Sequence, residues 1–100
     1  MLYRQGELLI RRIDKLPAGL NKQKNRVLAE GEITGHLHEL TAGTVFYLSE
    51  WRENKLYFTI ENKPAQLMHP EHGPQEFIPG NYEVIKQREY IERGFRNILD

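Results

Sequence analysis

The chain holds four histidines, and all of them fall into two pairs, His36-Leu37-His38 and His69-Pro70-Glu71-His72. Neutral imidazole is a frequent ligand of transition metals, and histidine is the side chain that ordinarily changes charge near neutral pH, so this grouping is where chemistry is to be sought. Residues two apart on a strand share a face, which would set the His36 and His38 rings side by side. A proline-containing turn between His69 and His72 can bring both of those rings inward against a facing strand. Three or four imidazoles without a thiolate suit Zn, Ni, Fe or Cu. Glu39, next to the first pair, and Glu71, within the second, are candidate carboxylate ligands, orienting partners or general bases.

A histidine pair on one strand can equally be a solvated face, and a histidine beside proline can be a polar loop residue. The gathering of every histidine into two pairs, each beside a glycine or proline bend, tips the balance toward one site shared by at least three rings. Spacing alone does not say whether the pairs meet. If they hold a metal, an open coordination position would activate water for hydrolysis, with Glu71 or Glu39 as base, whereas four protein ligands would make a structural staple. A metal-free version uses two histidines as general acid and base on an RNA-like phosphodiester, with a cation stabilising the developing charge. Arg88 and Tyr90, in Gln87-Arg88-Glu89-Tyr90, are candidates for that supporting role. They are equally well explained as a strand-end ion pair and a core aromatic.

The charge distribution bears on which ligand such a site would take. Net charge is zero over 100 residues, yet residues 1–26 hold seven Lys and Arg against two acids, a balance of plus five that leaves minus five for the remainder. Lys22, Lys24 and Arg26 are candidates for attracting an anionic partner, a phosphorylated small molecule or RNA. The plainer reading makes them solvated loop charges. With no cysteine, a thiolate nucleophile and a Cys-based zinc site are excluded, and a disulfide-stapled secreted domain is disfavoured. No apolar run approaches the roughly 18–20 residues that span a bilayer, and Met1–Gln5 lacks the apolar stretch of a secretion signal. The expectation is a cytoplasmic protein with no membrane association.

The elements that must position the histidines read as strands. Gly6–Ile13 is short, apolar and framed by turn formers, whereas residues 16–25 combine Pro17, Gly19 and two Asn with two Lys and predict a mobile basic loop. Arg26–Leu40 is strand-like but interrupted by Gly31 and Gly35, which predict a bulge, a bend or a close approach of another backbone. Thr44–Ser49 and Lys55–Glu61 predict a hairpin closed by Glu50–Asn54. In its second arm Leu56, Phe58 and Ile60 alternate with Tyr57, Thr59 and Glu61, the period of a half-buried strand. Ala65–Met68, Gln75–Ile78 and Asn81–Arg88 complete the set, with a turn at Pro70–Pro74 and another at Pro79-Gly80. Ile91, Phe95 and Ile98 predict one or two helical turns, or an extended packed tail. Six to eight short strands without strand-helix alternation predict an all-β class, a small antiparallel barrel or sandwich forming a single β domain over residues 1–100. Trp51, in a connection that should be wet, folds back on the core or marks a partner surface, and exposed strand edges make a homodimer plausible.

Val27-Leu-Ala-Glu-Gly-Glu-Ile-Thr-Gly-His-Leu-His38, taken with His69-Pro-Glu-His72, Pro79-Gly-Asn-Tyr82 and Gln87-Arg-Glu-Tyr90, resembles a group of small uncharacterised bacterial proteins with a GHxH element followed by an HxxH element. The likeness spans about residues 5–90 and implies no activity. The HxH element also looks a little like the first metal motif of cupins, which are metal-binding β-barrels. Glu39 comes earlier than the cupin pattern expects, and HPEH replaces a lone histidine, so a convergent histidine site on a β scaffold fits these residues better.

Overall fold

The computed structural model describes residues 2–31, 34–50 and 54–86, and over these the chain forms ten strands and no helix. In chain order they are β1 (Leu2–Gln5), β2 (Leu8–Ile13), β3 (Asn21–Lys22), β4 (Val27–Glu30), β5 (Leu37–Leu40), β6 (Thr44–Ser49), β7 (Asn54–Ile60), β8 (Ala65–Met68), β9 (Gln75–Phe77) and β10 (Gly80–Lys86). They make a six-stranded sheet, β1-β2-β10-β7-β6-β3, and a four-stranded sheet, β4-β5-β8-β9, with every pairing antiparallel. The sheets stack as a sandwich and do not close into a barrel.

Alternation along the strands builds the core. Leu8 and Ile10 of β2, Leu56, Phe58 and Ile60 of β7, and Tyr82 and Val84 of β10 face Leu28, Leu40, Ala65, Leu67 and Phe77 from the smaller sheet. Each large side chain buried this completely contributes about 1.5–3 kcal/mol relative to exposure. Phe58 stacks on Tyr82 with ring centroids 4.9 Å apart, and Phe77 meets Tyr82 edge-on at 5.0 Å. The Tyr82 hydroxyl donates to the Ile78 carbonyl at 2.6 Å, so this buried ring leaves no polar group unmet.

Two strands exceed the expected number. Leu2–Gln5 shows no alternation of its own, yet it pairs with β2 because Gly6-Glu7 forms a two-residue hairpin loop between Gln5 and Leu8. Gly6 has a φ of +58°, the conformation such loops favour glycine for, so the strand expected from Gly6 begins at Leu8. Within the predicted mobile loop, Asn21 and Lys22 pair with Tyr47 and Phe46, and the Gln23 amide donates to the Val45 carbonyl at 2.7 Å. This is backbone pairing, invisible to a side-chain pattern. The register slip of the β4–β5 pair lies between Val27 and Ala29 rather than at a glycine. Gly31 and Gly35 instead close the connection to β5, where the Gly35 amide donates to the Gly31 carbonyl and the Gly31 amide to the His36 carbonyl, both at 2.9 Å. The predicted C-terminal helical turns, Arg88 and Trp51 lie outside the described residues.

Candidate metal centre

Strand register brings the two histidine pairs together. In the β5–β8 ladder Glu39 stands opposite Met68 and Leu40 opposite Leu67. Carried past the end of the ladder, that register sets His38 opposite His69 and His36 opposite Glu71. The side chains meet accordingly. The His38 and His69 ring centroids are 4.3 Å apart, and His36 Nδ1 lies 2.7 Å from Glu71 Oε1. His38 lies on β5, whereas His36, His69 and Glu71 lie just beyond the strand ends, so these contacts extend the ladder into the connecting segments.

The turn after β8 supplies the rest. Pro70 and Pro74 restrict the backbone, and the Glu71 amide donates to His69 Nδ1 at 3.0 Å, bending the chain back on itself. His72 thereby returns to 4.6 Å from His69 and 6.2 Å from His38, measured between ring centroids. His36 sits 5.8 Å from His69. His69 is thus the hub, within 6 Å of each of the other three rings.

The larger sheet closes the site from the other side. Gln5, at the end of β1, is buried, and its Oε1 lies 2.8 Å from His38 Nδ1. Its amide nitrogen donates to the carbonyls of Leu67, at 2.7 Å, and Gly73, at 2.9 Å. Next to it, Gly6 passes so close to the rings that a Cβ there would lie 2.7 Å from His72 Nε2 and 3.4 Å from His38 Cε1. The hairpin loop can approach the cluster only without a side chain.

Burial separates the rings electrostatically. His38 is 7% exposed, and burial, followed by the neighbouring His69 and His72, lowers its pKa from 6.5 to about 4. The His69 pKa is lowered too, first by desolvation and then by His72, with Glu71 opposing and His36 adding to the effect. Near neutral pH these two are neutral imidazoles, the form that ligates metals.

The other expected site residues are placed less favourably. Glu71 reaches the cluster, but as the partner of His36. Glu39 does not reach it: along β5, His38 and Leu40 are buried while Leu37 and Glu39 face outward, so strand alternation turns the carboxylate away from the rings. Lys22 lies on β3 in the larger sheet, Lys24 is exposed beyond it, and Arg26 donates its Nε proton to the Leu40 carbonyl at 3.1 Å, at the end of β5 away from His36. Sequence reasoning missed Gln5 and Gly6. Gln5-Gly6-Glu7 ahead of an apolar strand is legible as a hairpin loop, but nothing in it announces contact with histidines. Among the described residues, no group of three or more His, Cys, Asp or Glu side chains is already arranged to hold a metal ion. The rings converge, with several of their nitrogens engaged by protein partners.

The molecule is therefore a two-sheet antiparallel β sandwich with a histidine cluster at one end. The chain belongs to the domain family DUF8820, a domain of unknown function whose model matches residues 4–87, the stretch that contains the cluster and both sheets. That membership brings no activity and no link to cupins. No curated protein and no solved structure matches the chain. Among the described residues no helix is long and apolar enough to cross a membrane.

Proposed function

We propose that this protein binds a divalent transition metal, with Zn, Ni, Fe or Cu as candidates, through His38, His69 and His72, and that His36, oriented by Glu71, completes or borders the site. The observation that carries this reading is the convergence of His36, His38 and His72 on His69. Two imidazoles sharing a tetrahedral ion hold their ring centres about 5 Å apart, and the observed separations run from 4.3 to 6.2 Å. Binding requires the turn to adjust, because His69 Nδ1 now accepts the Glu71 amide proton. The His36–Glu71 contact has the form of the carboxylate–histidine pairs that orient metal ligands. With His36 outside the coordination shell, a fourth position would be open to water or to an anionic, for instance phosphorylated, ligand, and metal-assisted hydrolysis follows as the chemistry to assay.

Metal-free acid–base cleavage of RNA has less support. The charges that His38 and His69 feel are those of other rings and of Glu71.

Elemental analysis of protein purified without an affinity tag should find about one metal ion per chain, lost when His38 and His72 are both replaced by Ala. Zinc at about a hundredfold its Kd should stabilise the native protein by about 2.7 kcal/mol. Metal-free protein whose melting temperature is unmoved by Zn and by Ni would end this reading.

A further inference from the structure

We propose that Gln5 is the positioning residue of the histidine site, fixing the proton of His38 on Nδ1 and so leaving the Nε2 lone pair free to ligate. The hydrogen-bond partners around Gln5 fix which way its amide faces. The buried Gln5 amide has two N–H protons, and two backbone carbonyls, Leu67 and Gly73, take them at 2.7 and 2.9 Å. A carbonyl only accepts, so turning the amide over would set oxygen against oxygen twice. Oε1 is therefore the atom that faces His38 Nδ1 at 2.8 Å, and since Oε1 also only accepts, the ring must be the donor. A neutral imidazole carries one proton, which leaves Nε2 bare.

The same amide does a second thing. Leu67 precedes and Gly73 follows the His69–His72 turn, so one side chain grips both flanks of one histidine pair and the ring of the other. Gln5 belongs to the larger sheet, whereas His38 and Leu67 lie on strands of the smaller one and Gly73 on the connection between two of its strands. His69 has the opposite arrangement: its Nδ1 accepts from the Glu71 amide at 3.0 Å, so its own proton sits on Nε2. The site at rest pairs one ring set to ligate with one that must first exchange its proton position.

The metal consequence rests on the function proposed above, whereas the tautomer does not, and the experiment separates them. In metal-free wild-type protein at about pH 8, where His38 is neutral, nitrogen-15 NMR of the rings should show His38 protonated on Nδ1. Protonation on Nε2 overturns the proposal whatever the metal result. In Gln5→Leu the His38 proton should move to Nε2, and the zinc Kd should rise about 10–100-fold, with far-UV circular dichroism checking that the metal-free fold persists. Gln5→Glu keeps an acceptor for His38 but sets carboxylate oxygen against the Leu67 and Gly73 carbonyls, so it should hold the Nδ1 proton while losing the grip on the turn, with a zinc affinity between those of wild type and Gln5→Leu. Equal zinc affinity in wild type and Gln5→Leu, both folded, would refute the positioning role. Should Gln5→Leu fail to fold, the wild-type tautomer decides. Should wild type bind no zinc, the metal reading falls and the tautomer still decides for Gln5.

Discussion

The two halves of the histidine cluster are built in opposite ways. His38 sits on a strand, is nearly sealed from solvent, and is held by a side chain from the other sheet. His72 is exposed on a turn, and His69 is held by the backbone amide two residues further on. The strand half is a fixed point whose ring cannot turn without breaking a buried hydrogen bond. The turn half is clamped at its flanks by Gln5, but its own rings lie nearer solvent and His69 is held only by a local backbone amide, so they can rearrange at lower cost. On the proposed reading, a site with one preset ring and a more pliable remainder would admit an ion by moving its exposed side.

The comparison is tested most severely by pH. An unfolded chain protonates His38 near 6.5, while the folded protein holds its pKa at about 4. Between those values the unfolded state binds more protons, so stability should fall as pH drops through this window and level off below it, by up to about 3 kcal/mol for this ring. His69, shifted the same way, adds to the loss. Urea midpoints measured across this range should show the drop, and His38→Gln should show less of it. Equal drops in both proteins would mean that the strand half is not the buried neutral fixture described here.

Truncation should also divide the halves. Metal-free, His38→Ala leaves Gln5 Oε1 without its donor in a buried place and should cost about 1–3 kcal/mol, whereas His72→Ala, on the surface, should stay within about 0.5 kcal/mol. Comparable costs in chemical denaturation would erase the distinction. A smaller effect is expected at the contact between the halves. Gly6→Ala puts a non-glycine residue at positive φ and a methyl against the His72 ring, and should lower stability by about 1–2 kcal/mol. Its zinc affinity should fall further than its stability does, because the displaced ring belongs to the site. A variant that melts lower but binds zinc as wild type does would show the hairpin loop to be a bystander.

Much of this molecule follows from short stretches of sequence. The alternation of Leu56, Phe58 and Ile60 makes a half-buried strand wherever it is placed, and two prolines with a glycine make Pro70–Pro74 turn. The all-β class and the compact second histidine pair follow from period and turn chemistry, which act over a few residues. β3 escaped such reasoning because two residues of backbone pairing leave no side-chain pattern. Glu39 looked available because adjacency in sequence ignores the face on which a strand residue lies.

Whether the pairs meet was decided elsewhere. The meeting of His38 with His69, and of His36 with Glu71, depends on the register between β5 and β8, and a slip of β5 by one residue would turn the His36 and His38 rings to the other face. The Gln5 contact spans 62 positions to Leu67. Such a contact exists only because two sheets pack face to face, and packing is a property of the assembled core that no local spacing contains.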